Sequence, residues 1–177
     1  MLIFFFRVLL LFSFLITAIK LGDWKNWQKY YPTILFVMVI NLASSFVTYH
    51  HILWNYNPDI VVQTQTTVEI LNAFALLPAA TFIYLSVFPF GGSKIYQAGY
   101  IALWVLIFSC IELIAHYIVG SLSYKNHWSW FNSFLFDIVL FSITRLHYSR
   151  PAWAWGVSLI VTVIIYFCFG FSNGDFK

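Results

Sequence analysis

Three carboxylates stand inside long apolar runs of the chain: Glu69, Glu112 and Asp137. A charge near the bilayer centre costs about 2.5–3.5 kcal/mol on insertion scales, so such residues face the protein interior or a water-filled cavity. Glu112 and His116 are four residues apart, which places them on one helix face, where they can share a hydrogen bond or a metal ion. His50 and His51 close another apolar run, with Thr48 one turn below. Asn72 and Asn132 add neutral polar groups. This set permits four kinds of chemistry. It can be a satisfied polar network that holds helices together, with Glu112 on His116 and Asp137 accepting from Thr, Asn or Tyr. It can be a proton or cation relay, the use to which intramembrane Asp, Glu and His chains are put. It can line a pocket for a small polar ligand or lipid headgroup. It can also be a metal site with Glu112 and His116 as ligands, like the inward-facing carboxylates and histidines of helix bundles. Against the last stands a single Glu-x-x-x-His, with neither a repeated pair nor His-Glu-x-x-His.

The elements that must position these groups follow from composition. Of 177 residues, 62% are hydrophobic, 22% aromatic and 8% charged. A soluble domain carries roughly 25% charged residues, so this chain lacks the polar surface of a soluble globule. Disorder is excluded because its signature is low hydrophobicity. The reading that remains is all-α: a polytopic membrane helix bundle forming a single integral membrane domain over residues 1–177. The nine Lys and Arg are scattered, and no Gly-rich phosphate loop, Gly-x-Ser-x-Gly elbow or Cys-x-x-Cys occurs. Nucleic acid and nucleotide are therefore not expected as partners, and enzymatic chemistry has no motif to support it. No cofactor is indicated.

The apolar runs are too continuous for strands that alternate every second residue. They predict six helices at about 2–19, 33–51, 66–88, 97–119, 130–147 and 152–171. Each is near the roughly 20 residues that a membrane span needs. If helix one lies in the interface instead, five spans remain. Arg7 interrupts the first run near its end, where it can snorkel to the interface, and the first helix reads as retained rather than cleaved. Pro32 and Pro151 suit helix starts. Pro78 predicts a kink in helix three.

Lys20, Lys25, Lys29, Lys94, Arg145 and Arg150 fall in or beside the first, third and fifth links, whereas the second and fourth hold only Lys125. The positive-inside rule makes the odd-numbered loops cytoplasmic and, with six spans, puts both termini outside. At 1.5 Å per residue, Glu112 and Asp137 each lie roughly 10 Å below the outer helix ends. Glu69 is one turn deep, and His50, His51 and His116 share the outer half. That coincidence was not imposed, because Lys and Arg alone set the orientation.

Arg145, His147 and Arg150 form a separate inner cluster, read as a topology anchor or a contact for anionic lipid. Trp24, Trp27, Tyr30 and Tyr31 read as an interfacial aromatic belt. Cys110 and Cys168 lie in apolar runs and are expected as buried small hydrophobes rather than a disulfide. Ala98 with Ala102, Ala152 with Gly156, and Ala154 with Ser158 are small-residue pairs that let helices approach.

Several phrases occur together: Trp24-x-x-Trp27 with Tyr30-Tyr31-Pro32-Thr33, Trp54-x-Tyr56-x-Pro58, Ile83-Tyr84-Leu85 with Pro89, Trp104 with Glu112, and Arg145-Leu146-His147-Tyr148 with Arg150-Pro151 and Trp155. From about Leu21 to Trp155 this pattern resembles a family of small, uncharacterised multi-pass membrane proteins of spore-forming Gram-positive bacteria. The resemblance implies a bacterial cytoplasmic membrane and carries over no catalytic role. Taken together, the sequence points to a small non-enzymatic binding, sensing or assembly subunit with a polar outer-half pocket. Its partners would be the lipid bilayer and a membrane protein or second copy of itself. The alternatives are a proton- or cation-coupled carrier using Glu112, His116, Asp137 and Glu69, and a membrane-embedded metalloenzyme with the same ligands.

Overall fold

Continuous apolar sequence without water forces backbone groups to pair within the segment, and the helix is the form that does so. A computed structural model describes residues 1–171. Its helices are α1 (Leu2–Leu21), α2 (Tyr31–Val47), α3 (Gln65–Val87), α4 (Lys94–Ile118), α5 (Trp130–Ser149) and α6 (Pro151–Cys168), with a 3-10 segment at Trp24–Lys29 between the first two. All six expected helices are present, with ends shifted by a few residues. The polar tail from Ser172 lies outside the described residues. Pro32 and Pro151 occupy the first turns of α2 and α6. Thr64 and Ser93 cap α3 and α4, their hydroxyls accepting from the backbone N–H of Thr67 and Tyr96. The helices α1, α3, α4 and α6 are long and apolar enough to cross a membrane. Among the others, α2 is shorter at 17 residues. The 20-residue α5 carries Asp137, Thr144, Arg145 and His147.

α3 packs between α1 and α2, α5 packs between α4 and α6, and α2 also touches α5. An aromatic core fills the half of the bundle nearest the first, third and fifth links. Tyr84 at its centre is fully buried and meets Tyr100, Trp104 and Phe141. Its hydroxyl donates to the Phe141 carbonyl at 3.0 Å, and Tyr100 donates to the Tyr84 carbonyl at 3.0 Å. These bonds tie α3, α4 and α5 together where no water would satisfy the phenols. Gly22 ends α1 against this core. A Cβ there would meet a Phe82 ring carbon at 2.3 Å, so only glycine permits the approach. Of the three small-residue pairs, Ala154 and Ser158 are buried at the helix interface. Ala98, Ala102, Ala152 and Gly156 face outward instead. Cys110 and Cys168 are free and also exposed on the bundle exterior, not buried.

The opposite end carries an element that the hydropathy pattern concealed. Trp54–Tyr56 (β1) and Leu122–Tyr124 (β2) form a two-stranded antiparallel ribbon, pairing Trp54 with Tyr124, Asn55 with Ser123 and Tyr56 with Leu122. Three-residue strands are too short to show alternation. Gly120, at φ +69°, turns the chain out of α4 into β2, a left-handed conformation that suits glycine. Asn126 and His127 make the following turn with positive φ.

Arg7 does not snorkel. Its guanidinium turns inward, bonding the Asp59 carboxylate at 2.5 Å and the Asn57 carbonyl at 2.5 Å. The two side chains are 11% and 1% exposed, and a charge kept from water needs a partner more than it needs the interface. The pair clamps α1 to the segment between β1 and α3. Pro78 likewise acts differently from a simple kink. A π turn over Asn72–Leu76 precedes it, with the Leu77 N–H bonding the Asn72 carbonyl. The wider turn relieves the crowding that a proline ring imposes on the preceding turn.

Breaking the clamp on one side should be costly. Arg7→Met or Asp59→Leu is expected to lower stability by about 3 kcal/mol, and the double variant to recover much of that, because no unpaired charge is left. Burial raises the Asp59 pKa, but the Val62 and Val61 amides and Arg7 outweigh it, so the carboxyl ends below its ordinary value. A lowered folded pKa gives stability that is present above the unfolded value near 3.8 and lost as pH falls through the folded one. Unfolding in mixed micelles between pH 7 and pH 3 checks both points. A wild-type and Asp59→Leu difference that stays constant below pH 4 would contradict the assignment.

Candidate functional site

Between α1, α2, α3, α4, α5 and the ribbon lies a cavity of about 220 Å³. It is lined by Arg7, Asn41, Asn72, Glu112, Ser133 and Asp137 among many apolar groups. On the usual measure this holds on the order of ten waters. The ribbon roofs it through Trp54, Tyr56 and Leu122.

The π turns shape this space. Asn72–Leu76 in α3 places Asn72 and Leu76 on the wall, and a second π turn, Ile114–Ile118 at the end of α4, places Ala115 there. Single π turns recur at functional sites because one extra residue per turn re-aims the side chains around it. The second one also dissolves the expected Glu112–His116 pair, since four residues no longer span one regular turn. His116 Nδ1 donates to the Leu122 carbonyl at 2.9 Å, and its ring lies 4.5 Å from that of Tyr124. Glu112 instead accepts from the Tyr124 hydroxyl at 3.0 Å. Asp137, 6% exposed, accepts from Ser109 Oγ at 3.2 Å rather than from Thr, Asn or Tyr.

Glu112 and Asp137 therefore share one chamber, and the remaining candidates do not join them there. Glu69 is held by the Gln65 amide at 2.8 Å. Burial, then Glu112, then Glu69 push the Tyr56 phenol far above its ordinary range. Burial and Glu112 do the same to Tyr124. Both phenols keep their protons and serve as donors or neutral walls. His51 Nε2 meets the Phe169 carbonyl at 2.9 Å and its ring packs on Phe171, while His50 packs edge-on against Tyr49. His51 is therefore held by the turn that follows α6, which no local spacing could show, whereas His50 packs on its own chain neighbour. Among the described residues no three His, Cys, Asp or Glu side chains stand close enough together to hold a metal ion.

The Arg145–His147–Arg150 cluster also separates. His147 is 4% exposed, turned into the bundle, stacked on Phe36 at 4.1 Å and bonded to Thr33 Oγ1 at 3.0 Å. Arg145 lies 4.9 Å over the rings of both Phe88 and Phe90 and donates to Ser149. Arg150 stays exposed at the chain turn. In the aromatic segment, Trp24 and Trp27 are exposed. Tyr30 is buried instead, stacking on Tyr148, with its hydroxyl on Asp23. Burial, and then that bond, raise the Tyr30 pKa to about 12.

Sequence reasoning missed Arg7, Asn41 and Tyr56 as chamber residues. For Arg7 a signal existed, a lone cation breaking an apolar run. For Asn41 it was a lone amide in the middle of α2. Its Oδ1 is buried in the wall without a hydrogen-bond partner, and a buried polar atom left unsatisfied costs about 1–3 kcal/mol.

A second cavity, about 250 Å³ and mostly apolar, lies between α2, α5 and α6. Ile40, Ser44, Trp54, Phe136 and Leu140 line both spaces, so they adjoin across a shared wall. No family model, curated protein or solved structure matches the chain.

Double-mutant cycles distinguish the observed pairing from the expected one. Glu112→Gln with Tyr124→Phe should show a coupling of about 1.5 kcal/mol or more, as for a hydrogen bond to a charged group. Glu112→Gln with His116→Asn should show less than about 0.5 kcal/mol. Unfolding of the wild type, the three single variants and the two doubles in mixed micelles gives both numbers, and the reverse order would reinstate the helix-face pair.

Proposed function

We propose that the chain is a six-span protein of a bacterial cytoplasmic membrane, a small non-enzymatic subunit that binds a small ligand in a chamber opening toward the outer leaflet. The observation that carries this reading is the chamber itself: two carboxylates, Glu112 and Asp137, and the unpaired Asn41 amide oxygen line one space large enough for a ligand. A purely structural network would close around its polar groups, because partly satisfied buried groups cost more than apolar ones. Here the Asn41 Oδ1 is buried without a hydrogen-bond partner, which fits a site that awaits a donor.

Six spans are supported by the packing of α1 along α3 and by its clamp to Asp59. Those contacts favour α1 running alongside the bundle over lying on a membrane surface. The ribbon joins the second and fourth links, the two that hold only Lys125; Lys20, Lys25, Lys29, Lys94, Arg145 and Arg150 gather at the other end, and Arg7 on the ribbon side is neutralised by Asp59. The positive-inside rule then places the ribbon and chamber outside. The family resemblance adds the bacterial host. Proton- or cation-coupled transport is a second reading, supported by two carboxylates sharing one chamber. It requires the chamber to reach the inner face as well, where the Tyr84 aromatic core now stands.

Thiol accessibility tests the proposal. In a background of Cys110→Ala and Cys168→Ala, Ser133→Cys on the chamber wall should react with a membrane-impermeant cationic thiosulfonate added outside. Its anionic counterpart should react at least tenfold more slowly, because the wall offers it carboxyl groups and no free cation, Arg7 being held by Asp59. Reaction only from the inside would reverse the orientation. No reaction from either side would mean a closed structural network. Reaction from both sides would favour the carrier.

A further inference from the structure

The two adjoining cavities differ in character, and that difference defines a ligand. The first offers acceptors: the Glu112 and Asp137 carboxylates and the buried, unpaired Asn41 Oδ1. Arg7, the cation on its wall, is already committed to Asp59 and the Asn57 carbonyl. The chamber therefore suits a head that donates hydrogen bonds and carries positive charge. Interiors pack with few voids larger than a water, so the apolar second space is shaped for an occupant without polar atoms. Its walls come from residues such as Val47, Val139, Ile143, Leu159 and Ile165. Ile40, Trp54, Phe136 and Leu140 form the seam at which head and tail would meet.

We propose that the protein binds a single-chain amphiphile with a cationic, hydrogen-bond-donating head, its head between Glu112, Asp137 and Asn41 and its tail in the apolar space between α2, α5 and α6. This rests on the ligand-chamber reading above and adds the class of ligand. Charge selects the head, because a cationic donor head can pair with the Glu112 and Asp137 carboxyl groups in a site of low dielectric, whereas an anionic head finds the one cation of the wall, Arg7, already taken by Asp59. Lipid tails are as apolar as leucine, so the tail gains little free energy over the bilayer. It sets position, and the polar chamber sets selectivity.

The test uses the full chain in phosphatidylcholine nanodiscs and a dodecylamine carrying a diazirine at mid-chain. On illumination, saturable labelling is expected at Val139 or Ile143 of α5 and at Thr162 or Ile165 of α6. Unlabelled dodecylamine should abolish it, and dodecanoate at the same concentration should not. Glu112→Gln combined with Asp137→Asn should weaken the labelling at least tenfold, with chromatographic behaviour and helix content confirming that the variant folds. The competition series needs no variant and stands without it. Diffuse, unsaturable labelling of the exterior of α1 and α6 would overturn the proposal, as would equal competition by dodecanoate. If Ser133→Cys is reachable from outside while labelling is diffuse, the chamber reading stands and the amphiphile falls. If the thiol is also unreachable, both fall.

Discussion

Polar groups in a chain with 8% charged residues must find their partners inside the protein, and the rest of the structure depends on that constraint. Helices satisfy the backbone; side chains must be satisfied by tertiary contacts. Each end of the bundle answers in its own way. At one end, phenols of Tyr84 and Tyr100 bond to helix carbonyls across the core and lock α3, α4 and α5 together. At the other, Arg7 and Asp59 neutralise each other, and the ribbon brings Tyr124 over Glu112. The first end is full. The second keeps a chamber.

The chamber exists because three elements depart from regular geometry around it. The π turn before Pro78 swings Asn72 onto the wall. The π turn at the end of α4 parts Glu112 from His116. The ribbon, with the left-handed Gly120 leading into it, roofs the space with Trp54, Tyr56 and Leu122. A bundle of regular helices joined by open loops would have let these polar groups face water or each other. The clamp from α1 to Asp59 brings Arg7 onto the wall, so the first helix contributes to the site.

The aromatic residues divide the labour similarly. Tyr84, Trp104 and Phe141 fill the core, Trp54 and Phe136 form the seam between the two cavities, and Trp27 stays outside, where an amphipathic ring suits a membrane interface. His147 shows how strongly burial can override sequence neighbourhood. It stands two residues from Arg145, yet it stacks on Phe36, because its helical position points into the bundle while Arg145 points along the rim.

The sequence by itself determined the helices. Hydropathy over some 20 residues is a local property, and prolines at the starts of α2 and α6 marked those ends within a few residues. It also determined that Glu112 and Asp137 lie in the same half, because depth follows from the 1.5 Å rise and the positions of lysine and arginine. Only the tertiary structure decided which groups meet. Rotation about a helix axis changes at a π turn, and no hydropathy window reports that, so the Glu112–His116 pair was legible as spacing and wrong as contact. The ribbon was hidden because three-residue strands carry no period. His51 went to the Phe169 carbonyl after α6, and Arg7 to Asp59, because each took a polar partner close in space, 118 and 52 residues away along the chain.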